Sequence, residues 1–265
     1  MNNQPVTITL GQSGDSFVVA NGRDRVTVKR EPAGLNFYDI KWPRNQLGTI
    51  QVSHGFHSFK VEGILGCTGA EDKELREEGI SIFDFSVAIA TPEAIPHLKA
   101  RDRIFWLLQM LQAVGWRRQI MPIDPRLNGR EALEFSIKEF GVYSLDPNYI
   151  PSLKEWMQLG SHAMWNLYAD GIYMKLEFNR DAERMNPVEP GAYLLSFEIK
   201  SEAEYLKMAF APEDRNRWLE LWPARKKELE RERAEAEAKA RAQGLAIDTT
   251  YTDPPVLALQ RGGRK

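Results

Sequence analysis

Metal ligation and nucleophilic catalysis leave the plainest marks on a sequence, and the residues able to carry them here are few. His54-Gly55-Phe56-His57 with Cys67 comes nearest to a ligand set. Zinc is held by His and Cys in tetrahedral sets that often contain close pairs. A fourth ligand is missing, and in an extended segment His54 and His57 would point in different directions. A turn carrying exposed histidines is the simpler reading, and no metal is expected. A nucleophile needs a base and an orienting acid within reach. The four histidines could serve as bases, yet no G-x-S-x-G occurs and Cys67 lacks a catalytic neighbourhood. Phosphate-cradling loops of the G-x-G-x-x-G or G-x-x-x-x-G-K-[ST] type are absent too, so no cofactor is expected. Asp124, in Asp124-Pro125-Arg126-Leu127, and Asp170, in Tyr168-Ala169-Asp170-Gly171, could exchange protons with a substrate. The Pro or Gly beside each explains it as turn chemistry instead. No catalytic residue is assigned.

In place of catalytic motifs the chain offers tryptophan and arginine, two of the residue types that dominate binding hot spots. Trp116-Arg117-Arg118 joins a ring to two guanidinium groups suited to carboxylates. As the start of a strand it would instead turn Trp inward and Arg outward. Trp116, Arg117, Arg118, Arg126, Trp165 and Tyr168 make up the candidate partner-contact set. The seven tryptophans as a group (Trp42, Trp106, Trp116, Trp156, Trp165, Trp218, Trp222) read mostly as core. A formal net charge of −2 gives no reason to expect nucleic acid or an anionic membrane as partner. No apolar run reaches the ~18 residues of a spanning helix. The opening MNNQPVTITLGQ has no basic region followed by an apolar core. That points to the cytoplasm, or to the periplasm for a chain whose export signal has already been removed. The single Cys67 forbids an internal disulfide.

Elements must position these residues. At 265 residues, 43% apolar and 27% charged, the chain suits one large domain or two small ones. Its best-marked stretch runs from Tyr149 to Phe178. Ser152 and Glu155 form a capping box ahead of Trp156 and Met157, and Gly160 stops that helix. Residues 163–169 and 172–178 then read as two strands joined by an Asp170-Gly171 type I′ turn. Residues 1–65 read as an N-terminal β region, with runs at 6–10, 17–20, 25–28, 35–40 and 49–53. Residues 66–79 read as a solvated loop or a short exposed helix. Ile80–Ala90 alternates cleanly as a strand, and Thr91-Pro92-Glu93 should start a helix carrying Ile95, Leu98, Ile104, Phe105, Leu107, Leu108, Leu111 and Val114. Trp116–Met121 reads as a returning strand, residues 131–140 hold an element of undetermined type, and Tyr193–Ile199 is a period-two strand. Residues 201–222 look helical, docked by Trp218, Leu221 and Trp222. From Ala224 to Gln243 Leu229 is the one large apolar residue, so the helix should fray or project beyond it, followed by a loosely held tail.

The resulting fold class is α+β: mostly antiparallel sheet packed by two or three amphipathic helices, with a long charged C-terminal helix. The divisions are 1–65, an α+β core over 66–222, and a charged helix and tail over 223–265.

GWRRQIMPIDPRLNG and YIPSLKEWMQL…WNLYADGIYMKLEFNRD resemble stretches of orphan α+β proteins encoded beside antibacterial effectors of bacterial type VI secretion systems. The resemblance covers roughly residues 80–200. It implies an immunity protein, a non-enzymatic binder of a cognate toxin, whose partner is that effector protein. Two other classes stay open: an adaptor or chaperone that escorts a secreted effector, and a hydrolase whose site is assembled from scattered polar residues.

Overall fold

The computed structural model describes residues 4–32, 34–90, 94–139 and 141–262. In chain order the elements are β1 (Val6–Ile8), α1 (Gly14–Asn21), β2 (Thr27–Arg30), β3 (Leu35–Lys41), β4 (Gly48–Val52), β5 (Phe59–Asp72), β6 (Ile80–Ala88) and β7 (Ala94–Pro96). Then come α2 (His97–Ala113), β8 (Arg117–Arg118), α3 (Gly129–Lys138), α4 (Leu153–Gln158), β9 (His162–Ala169), β10 (Ile172–Arg180) and β11 (Pro190–Ser201). The chain closes with α5 (Glu202–Lys207), α6 (Trp218–Ala242) and α7 (Leu257–Gly262). The fold is α+β, built on a sheet of order β1-β4-β5-β6-β11-β10-β9-β8, with β3 beside β5, β2 beside β3 and β7 beside β11. The ladders are antiparallel except for β1 with β4.

Local signals act where they are strong. The Ser152–Glu155 capping box is formed in both directions and starts α4. Asp170 and Gly171 take φ of 38° and 82°, the two positive values a type I′ turn needs. Replacing Gly171 by Val should therefore destabilise the fold by about 1 kcal/mol or more, since a β-branched residue resists positive φ. Thermal unfolding checks this; an unchanged melting temperature would count against a role for the turn.

The N-terminal third departs from the all-β expectation. Residues 17–20 lie within α1, because Ser13 accepts from the Ser16 N–H as N-cap and the buried Asn21 side chain bonds both Thr7 and the Phe17 carbonyl. Residues 66–72, expected as loop or exposed helix, are the second half of β5, fourteen residues long. Their smallness has a packing cause: a Cβ on Gly69 would come within 2.8 Å of the Phe83 ring. Residue 65 falls inside this strand, which pairs with β4 and β3 on one side and β6 on the other, so the first five strands share one sheet with the rest. Near its end, burial opposes the charge of Glu71, but bonds from Tyr38, Gly14 and Asn36 hold that carboxyl below the usual glutamate range. The helix start expected at Thr91-Pro92-Glu93 lies outside the described residues.

Alternation on β10 and β11 sends Met174, Leu176, Phe178, Leu195, Phe197 and Ile199 to one face. There Phe85 and Phe197 stack at 4.5 Å, and Phe105 of α2 meets Trp165 edge-on at 5.8 Å. The core thus lies between the sheet and α2, joined by α4 through Trp156 and by α1 through Phe17. Tyr173 points to the opposite face, where Tyr205 of α5 stacks on it at 3.8 Å. The element at 131–140 is α3, which helps to bury Tyr143 in a smaller cluster with Ile120 and Leu127. The strand expected over Trp116–Met121 is reduced to Arg117 and Arg118.

The C-terminal segment is docked along its length rather than frayed past Leu229. Arg233, Glu237 and Ala240 are buried. Arg233 donates to Asp253 at 2.6 and 3.0 Å and to the Met121 and Asp124 carbonyls; Glu237 receives Arg126 at 2.6 and 3.1 Å. The face that packs is charged, and this is why apolar counting missed it. The tail is held too: Ile120 N–H donates to Tyr251 Oη, and Glu202 accepts from the Leu257 and Ala258 N–H groups. Among the described residues no helix is long and apolar enough to cross a membrane.

Candidate functional site

The candidate contact set is used largely by the fold itself. Trp116 and Trp165 are 1% and 0% exposed, so neither offers area to a partner; both rings belong to the main core. Trp116 Nε1 donates to the His57 carbonyl. Arg118 sits over the Tyr143 ring and donates to the Leu127 and Ser144 carbonyls, each at 2.5 Å. Arg126 is bound to Glu237. Tyr168 is buried, and its hydroxyl accepts from Gly171 N–H across the hairpin turn. Arg117 alone of the six is an exposed residue.

The residues considered for chemistry are likewise engaged. His54 and His57 lie 5.4 Å apart ring to ring, each with a ring nitrogen on a backbone carbonyl, that of Ala169 and Val114 respectively. Cys67 is buried within β5, and burial pushes its thiol well above the usual range, away from thiolate chemistry. Asp170 serves the hairpin turn. Burial pushes the Asp124 carboxyl up to about 6, against the pull of Arg233.

A buried polar knot, unforeseen from sequence, joins β10, β11, α2 and α4. Tyr193 Oη donates to His97 Nδ1 at 2.5 Å and accepts from Trp156 Nε1 at 3.1 Å and Arg180 Nη1 at 3.2 Å. Arg180 Nη2 reaches the Trp156, Met157 and Gly160 carbonyls, the open C-terminal end of α4. Burial, then the Arg180 charge, holds His97 below the ordinary histidine range. Every strong bond in this knot ends on the protein, and its work is to pin α4 against the sheet.

The surface feature that stands apart is Trp106. Six of the seven tryptophans are buried or half-buried, whereas Trp106 is 67% exposed. α2 sets it there: Ile104, Leu107, Leu108 and Leu111 occupy the core side, and position 106 falls on the opposite side of a 3.6-residue helix. Beside it Arg103 donates to the Ile89 carbonyl, which fixes its guanidinium just past the end of β6. Trp106 and Arg103 rim a hollow of about 500 Å³ that is floored by Val61, Val87 and Leu195 and flanked by the Lys60–Glu62 ion pair. Leu98 is exposed on the same helix, and Phe56, 77% exposed, stands next to Gly115 just past its C-terminal end. The signal was available in the sequence, since Trp106 lies off the Ile104–Leu108–Leu111 stripe.

No family model, curated protein or solved structure matches this chain. The site is therefore read from its own chemistry.

Proposed function

We propose that this chain is a non-enzymatic binding protein that docks on another protein through the outer face of α2, with Trp106 at the centre. The observation that carries the reading is a largely exposed Trp106 beside a fixed Arg103, above an apolar-floored hollow. Trp and Arg are the residues through which interfaces gain most of their energy, and a partner's apolar side chain entering the hollow would be desolvated by the Trp106 ring. The face is rigid before binding, because α2 is anchored in the core along its other side, so little ordering entropy is spent on association.

The resemblance of residues 80–200 to proteins encoded beside type VI effectors supports a toxin as that partner, and neutralisation as the outcome. An effector adaptor would use the same kind of surface, but escort would not protect a cell. The test is growth of cells that express a type VI effector whose gene is found to adjoin that of this chain. Co-expression of the wild-type protein should restore growth. Absence of protection, with both proteins present and folded, would contradict the toxin reading.

A further inference from the structure

On the opposite face of the sheet from α2, a hollow of about 280 Å³ collects hydrogen-bond donors that lack adequate acceptors. Lys200 Nζ bonds Glu198 at 3.0 Å, and its other contact is the Met208 thioether at 3.2 Å. Tyr205 Oη likewise spends its proton on Met121 Sδ at 3.3 Å. A thioether sulfur is a weak acceptor, so the Tyr205 hydroxyl and the Lys200 N–H aimed at Met208 are poorly satisfied. Asn166, 8% exposed, bonds Ser144 through its backbone N–H, while its side-chain amide meets no partner among the described residues. Lys175 stands in register between Asn166 and Glu198, yet stays 3.9 Å from the Glu198 carboxylate and 3.6 Å from Glu177. Glu198 lines the hollow with Lys175 and Lys200, and Glu177 and Asp84 lie close enough to act on the same lysines.

We propose that this hollow binds a small organic carboxylate, its head group on Lys200, Lys175 and Asn166 and its apolar body against Met121, Met164 and Met208. The carboxylate supplies the oxygens that the sulfurs replace poorly, in charge-assisted bonds. The methionine wall accepts an apolar body of irregular shape, as flexible polarisable side chains do. The volume limits that body to a few carbons. The hollow and the Trp106 face lie on opposite sides of the sheet, so the two readings stand or fall separately.

The test is a titration of the full chain, carrying ¹³C-labelled methionine methyl groups, with sodium hexanoate, and in parallel with hexylamine. Hexanoate should give saturable shifts in the signals that Met121→Leu, Met164→Leu and Met208→Leu remove, and hexylamine should not. Lys200→Met, which keeps length but removes charge, should weaken hexanoate binding tenfold or more; should that variant fail to fold, Asn166→Ala carries the comparison with a smaller loss. If hexanoate moves none of these three methyl groups, or hexylamine moves them equally, the proposal is overturned. It is overturned as well if the folded charge or amide variant binds hexanoate like the wild type.

Discussion

Removal of residues 230–265 should abolish cooperative folding. The segment looks dispensable by composition, but its contacts are with the body of the protein. Arg233 satisfies the carbonyls of Met121 and Asp124 in the loop after β8, and Glu237 holds Arg126 in the same loop. Asp248 N–H donates to the Arg126 carbonyl and Ile120 N–H to Tyr251 Oη. Leu245, Ile247 and Tyr251 cover the cluster of Ile120, Leu127, Ala132 and Tyr143. Each apolar side chain withdrawn costs up to about 1.5–3 kcal/mol, according to how fully it was buried. With the loop's bonds lost as well, the sum reaches the ~5–15 kcal/mol that a domain has in total. Circular dichroism on heating should show no cooperative transition for the truncated chain. A melting temperature close to wild type would show that these contacts contribute little.

Arg180→Met should cost about 3 kcal/mol, since several acceptors lose one shared charged donor. Arg180 is 3% exposed, and its guanidinium is shared among Tyr193 and three carbonyls at the end of α4. Methionine fills the space of the stem but returns none of those bonds, so the Trp156 and Gly160 carbonyls and the Tyr193 hydroxyl lose a donor. The melting temperature should fall by about 10 °C at this size. A pH dependence accompanies it. His97 is held below its ordinary value of 6.5 by burial and then by Arg180, so the unfolded chain takes up the proton first. Stability should therefore decline as pH falls below about 6.5, and decline less steeply in Arg180→Met. Loss of less than about 1 kcal/mol in the variant, by denaturant titration, would contradict this account of the knot.

What the sequence shows of this fold follows how local each cause is. The Ser152–Glu155 box, the Asp170-Gly171 turn and the alternation read over Ile80–Ala90 act within a few residues; the first two stand as read, and the strand forms over Ile80–Ala88. The second half of β5 was illegible partly because Gly69 is small for the sake of Phe83 and Ile80 on the next strand. α6 was misjudged because the residues that dock it, Arg233 and Glu237, pattern as solvent; their partners lie more than a hundred positions away, apart from Asp253 and Arg241. At the candidate site the same limit applies. Trp116 and Trp165 attracted attention by residue type but alternate into the core, while Trp106 escaped it inside a helix whose other side is apolar.

The central claim, that the face around Trp106 meets a protein partner, is tested most directly by calorimetry with a purified type VI effector whose gene is found to adjoin that of this chain. Wild type and Trp106→Ala are compared at matched concentration, after equal melting temperatures have shown that both are folded. Trp106 is exposed, so its removal should leave stability within about 0.5 kcal/mol. Binding should weaken by about 2 kcal/mol or more, roughly thirtyfold in Kd. Equal affinity for the two proteins would place the partner elsewhere and contradict the account.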